Sequence, residues 1–193
     1  MRNKSIVYVL MLSIIPVFAQ AHVLSGIGFG NGALHPLSGI DHLLAMVAVG
    51  IVSVQLGRKY VLVIPLMFVS LMVLGGVLGI YGFSLPFVEI GIALSVLFSG
   101  LAIVLSRKIS IKITMSLIAL SAIFHGHAHG SEMPVIANPL LYTAGFVLST
   151  AALHFSGVLM GNFAVKIGIR RKFLKLAGAG IGITGLMILF GVF

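Results

Sequence analysis

Three carboxylic acids and seven histidines make up the whole acidic and imidazole inventory of this 193-residue chain. Most of them fall in two short segments. In FHGHAHGSE, Phe124 to Glu132, three imidazoles and one acid surround Gly126 and Gly130. On a helix advancing 100° per residue, His125 and His129 differ by about 40° and His125 and Glu132 by about 20°. These three therefore share one stripe if the helix persists that far, and His127 faces elsewhere. A histidine pair at i, i+4 offers two nitrogens to one metal ion, and the carboxylate can ligate or orient an imidazole. With no cysteine in the chain, any metal site must use nitrogen and oxygen ligands.

HPLSGIDH, His35 to His42, is the second constellation. Pro36 suits the first turn of a helix, which sets His35 at its mouth and His42 two turns deeper. In an unbroken helix their α-carbons would be about 10 Å apart, too far for easy joint ligation. Either the chain unwinds at Gly39 or only Asp41 and His42 join the site; broken helix starts recur at transporter ion sites and favour unwinding. Glu89, His154 and His22 are further candidates. A lone histidine near a membrane interface is more often a hydrogen-bonded packing residue, a reading that applies to His22 and His127. An ionised acid within a membrane is harder to explain by packing, because it is costly unless paired or wet.

The elements that position these residues are membrane helices. The chain is 60% hydrophobic and 8% charged, with a mean hydropathy of +1.23. Stretches of about 20 residues without charge are long enough to cross a bilayer. We expect an all-α polytopic bundle of six spans at approximately 36–57, 60–82, 86–106, 110–129, 138–164 and 173–193. There is room for one membrane domain, 22–193, and for no separate soluble domain. Ahead of it, Arg2 and Lys4, an apolar run from Ile6 to Phe18, and Ala19-Gln20-Ala21 have the form of a signal peptide, 1–21, whose cleavage leaves His22 first. An uncleaved first helix is the alternative, with an apolar core short for spanning.

A net charge of +9 would suggest nucleic acid in a soluble chain. Here Arg58 and Lys59, then Arg107, Lys108 and Lys112, then Lys166, Arg170, Arg171, Lys172 and Lys175 sit in three alternate connections and read as topology signals. By the positive-inside rule those connections are cytoplasmic, and the mature N-terminus and the C-terminus lie outside. The acids and most imidazoles then gather near the outer end. An outward mouth attractive to cations follows.

Together, HPLSGIDHLLAMVAVG and FHGHAHGSE resemble the two signatures of the HupE/UreJ family of nickel permeases. His35, Asp41 and His42 match a histidine followed after five residues by Asp-His. Phe124, His125, Gly126, Ala128, His129, Gly130 and Glu132 match Phe-His-Gly-x-Ala-His-Gly-x-Glu, in which His127 occupies a variable place. The resemblance implies Ni²⁺ uptake, with Co²⁺ as a second cargo, across the bacterial cytoplasmic membrane. It also implies a link to hydrogenase or urease maturation. The metal would be cargo, with no permanently bound cofactor, and its partners would be the ion and the bilayer. No nucleotide-binding motif is present, which excludes ATP hydrolysis within the chain. The rival from another class is an intramembrane zinc-dependent hydrolase built from the same residues. A metal sensor without transport is a third reading.

Overall fold

The computed structural model describes residues 28–166 and 171–192, and every regular element among them is helical. The helices are α1 Phe29–Ser38, α2 Ile40–Leu56, α3 Tyr60–Ile80, α4 Val88–Leu105, α5 Ile111–Ser131, α6 Pro139–Lys166 and α7 Arg171–Leu189, with a single 3₁₀ turn at Ser106–Lys108. Among the described residues five helices, α3 to α7, are long and apolar enough to cross a membrane, and the bent pair of α1 and α2 makes a sixth if the two count as one span. The expected signal peptide and His22 lie outside the described residues.

The first span departs from expectation. Helix begins at Phe29, ahead of the expected 36, so Pro36 lies in the last turn of α1 and does not open a helix. The sequence FGNGALHPLS has poor helix propensity, and α1 is held by its packing on α6. A Cβ on Gly32 would collide with the backbone carbonyl of Tyr142, and one on Gly145 with that of Phe29. Ser149 Oγ donates to the Ala33 carbonyl at 2.5 Å. Gly39 then takes an extended conformation (φ −96°, ψ 125°) and the chain turns by 85° into α2. This is the unwinding favoured from the sequence.

The remaining starts and stops are local. Asn138 Oδ1 accepts from the Leu140 and Leu141 N–H groups, and Pro139 occupies the first helical position, so α6 begins with both of its usual start signals. Glycine governs the packing: α3 and α5 meet through Gly75, Gly79, Gly126 and Gly130, where an added Cβ would strike the opposite backbone. Gly50 and Gly157 do the same for α2 and α6, and Gly100 and Gly185 for α4 and α7. In a bilayer, where lipid tails are as apolar as leucine, such close backbone approach is a main source of helix association. The core they enclose centres on Met46, Val49, Phe68, Met72 and Val96.

Candidate metal-binding site

All three acids of the chain, Asp41, Glu89 and Glu132, line one cavity of about 220 Å³ at a single end of the bundle, together with His35, His42 and His129. Four elements deliver them. The break at Gly39 supplies His35 from the end of α1 and Asp41 and His42 from the start of α2. Glu89 comes from the first turn of α4, and His129 and Glu132 from the end of α5.

At the mouth, His35 Nε2 lies 3.1 Å from Glu132 Oε2, and the two side chains are 31% and 55% exposed. One ligand atom each from His35, His129 and Glu132 lie within 4.8 Å of one another. Nitrogen and oxygen ligands at about 2.0–2.2 Å from an ion are at most about 4.4 Å apart, so a small rotamer adjustment closes this triad around one metal.

His129 is the hub of the deeper part. Its ring centroid lies 4.5 Å from that of His35, 4.0 Å from His42 and 4.1 Å from Phe146. His42 continues the line to His125, 4.3 Å away. The His35 side chain is 31% exposed, whereas His129, His42 and His125 behind it are all buried, His125 completely. Four imidazoles thus run in contact from solvent into the dry interior.

Their tautomers are set by neighbours. Asp41 Oδ1 accepts from the His42 backbone N–H at 2.7 Å and from His42 Nδ1 at 3.0 Å, so Nδ1 carries the proton and Nε2 keeps a lone pair. Ser95 Oγ donates to the Ile92 carbonyl, so its oxygen accepts from His125 Nε2 at 2.6 Å, and the His125 lone pair is on Nδ1. His42 Nε2, His125 Nδ1 and both nitrogens of His129 are buried without a hydrogen-bond partner. Buried polar atoms are normally paired. Three imidazoles with unpaired nitrogen, His42 in contact with each of the other two, suit an incoming cation.

The sequence stripe is only partly reproduced. His125 and His129 do share a face, but Glu132 pairs with His35 at the mouth and not with His125. His127 turns away, as its spacing requires, and donates from Nε2 to the Phe83 carbonyl at 2.7 Å, anchoring the 81–87 connection. Gly126 and Gly130 provide the α3-facing side of the same helix. His154 lies apart from the cavity, its ring 5.0 Å from Phe68. Sequence reasoning missed Ser95, Phe146 and Tyr142, whose buried hydroxyl is unpaired and whose ring centroid is 6.1 Å from that of His35. A lone serine or aromatic residue in an apolar helix carries no spacing signal.

The fold and site define a multi-pass helical membrane protein with an acid- and imidazole-lined cavity at one end. The chain belongs to the HupE/UreJ family: the family model described as HupE / UreJ protein matches residues 9–188. It is 39% identical over 193 residues to Protein HupE of Rhizobium leguminosarum bv. viciae, an alignment covering 99% of this chain and 100% of that protein. No solved structure matches. The family match gives the zinc hydrolase no support.

Proposed function

We propose that this protein carries Ni²⁺, with Co²⁺ as a second cargo, inward across the bacterial cytoplasmic membrane for hydrogenase or urease assembly. The observation that carries the proposal is the convergence of every carboxylate in the chain and three imidazoles on one cavity, with His125 in contact behind it. Family membership supports the same reading.

In this mechanism the three carboxylates draw a hydrated cation to the outer mouth. His35, His129 and Glu132 exchange with its first waters, and His42 and the fully buried His125 take it further. Asp41 holds the His42 lone pair free and Ser95 does the same for His125, so neither ring needs to change tautomer to ligate. Imidazole nitrogen and carboxylate oxygen suit nickel, and selectivity against copper, which binds such sites more tightly, must come from geometry. The membrane potential supplies about 4.6 kcal/mol for a divalent ion across 100 mV.

Purified protein in liposomes loaded with a metal-sensitive dye tests this directly. Nickel entering without any added partner is the expected result. An intact, correctly oriented protein that admits none would overturn the proposal.

A further inference from the structure

Beyond the imidazole cluster, α6 carries three buried polar atoms that the capture site does not use. His154 is 1% exposed and both its nitrogens lack a hydrogen-bond partner; Thr150 is 0% exposed and its Oγ1 also lacks one. At i, i+4 the two residues differ by about 40° and share one face of α6. The absence of a bond at Thr150 is unusual for this bundle. Ser53, Ser95, Ser121 and Ser156 each donate to a carbonyl of their own helix. Thr150 has the same option and leaves it unused.

Packing does not account for these atoms. The His154 ring meets Phe68 at 83°, an edge contact that phenylalanine would make equally well without stranding two nitrogens in the core. Phe68 also touches the other cluster, with its centroid 6.1 Å from that of His125. One aromatic ring therefore contacts both the innermost imidazole of the capture site and His154. His154 also lies further along the bundle: its carbonyl packs against Gly50, about 12 Å along α2 from His42, the ring that touches His125.

We propose that His154 and Thr150 form a second, inner station, an imidazole nitrogen and a hydroxyl oxygen, that receives the divalent cation past Phe68 before its release. The inference rests on the transport reading above. With one nitrogen and one neutral oxygen and no carboxylate, the station holds a cation more weakly than the outer cavity, as a site before release must.

The test separates capture from passage. Nickel binding at equilibrium is measured on detergent-purified protein, and initial nickel uptake on the same protein in liposomes. His154→Phe keeps the ring contact and removes the nitrogens; Thr150→Val keeps the shape and removes the hydroxyl. Each should leave equilibrium affinity within about twofold of wild type and slow uptake about tenfold, while Thr150→Ser restores the rate. Uptake at the wild-type rate in either His154→Phe or Thr150→Val would overturn the inner station. So would a matching loss of equilibrium affinity in Thr150→Val, which would make the threonine part of capture. Wild-type protein that carries no nickel removes the transport reading itself, before any variant is compared.

Discussion

The imidazoles of His42 and His129 lie with their ring centroids 4.0 Å apart at an interplanar angle of 62°. His42 comes from a helix start freed by the break at Gly39, and His129 from the last turns of α5. His35 reaches the same ring of His129 from the other side of the break, at 4.5 Å. The 85° turn therefore does what an unbroken helix could not: it brings two histidines seven positions apart onto one partner.

His42→Ala, His125→Ala and His129→Ala each remove a buried nitrogen from the cluster and should reduce nickel uptake by at least about tenfold at unchanged expression. His127→Ala should retain near wild-type uptake. Its cost is structural, about 1 kcal/mol for the lost bond to the Phe83 carbonyl. Equal losses across these positions would show that His127 belongs to the site, contrary to its orientation.

Asp41→Asn preserves the size of the side chain while removing its charge and its hold on the His42 tautomer. Groups that orient a metal ligand typically contribute 10–100-fold to affinity, and a loss of about that size is expected in equilibrium nickel binding. Binding at the wild-type level would mean that His42 is oriented by something else.

Proton competition gives a third test. Ligation needs neutral imidazole and ionised carboxylate, so protons taken up as pH falls must leave before metal binds. Apparent nickel affinity should therefore weaken as external pH is lowered from about 7.5 to about 5.5, with internal pH and potential clamped. A carrier driven by an inward proton gradient would instead run faster on mild external acidification, and initial uptake rates distinguish the two signs.

Gly126→Ala places a methyl group against the Met72 carbonyl and the Gly76 amide, backbone atoms that cannot swing aside. A loss of about 1–3 kcal/mol, read as a lower melting temperature in detergent, is expected. Gly180→Ala meets nothing within 4 Å and should change stability by no more than about 0.5 kcal/mol. Equal effects from the two substitutions would remove the close α3–α5 approach as the cause.

Membrane orientation is open to chemical labelling, because the chain has no cysteine of its own. Single cysteines at Lys59, Lys108 and Arg171 should react only from the cytoplasmic side, and one at Ser84 only from outside. Reaction of any of the first three from outside would reverse the direction of capture.

The spans were legible from hydropathy because uncharged runs of bilayer length leave little else for the chain to form. The start of α1 was not, since three weak helix formers among its first four residues, Gly30, Asn31 and Gly32, are helical only through contact with α6. At the site, spacing correctly put His125 and His129 on one face and His127 off it. It could not show that Glu132 would leave that stripe for His35, because α5 ends at Ser131 and the partner is 97 residues away. The setting of His125 by Ser95 was equally hidden, for a serine in an apolar helix usually does no more than bond its own backbone.

The glycine contacts divide the bundle into three clamped pairs: α3 with α5, α4 with α7, and α6 with the bent α1–α2 unit. Within a pair, backbone rests on backbone and there is no clearance for sliding or rotation. Each pair owns a different part of the site. His125, His129 and Glu132 ride on one, Glu89 and Ser95 on the second, and His35, Asp41 and His42 on the third. The candidate ligands sit on the seams, like marks scribed across the joints of a three-jaw chuck. A shift of the first jaw against the third by an ångström would leave each internal geometry intact while changing every spacing between their imidazoles. On the proposed reading, the grip on an ion is thus set by how the jaws stand to one another.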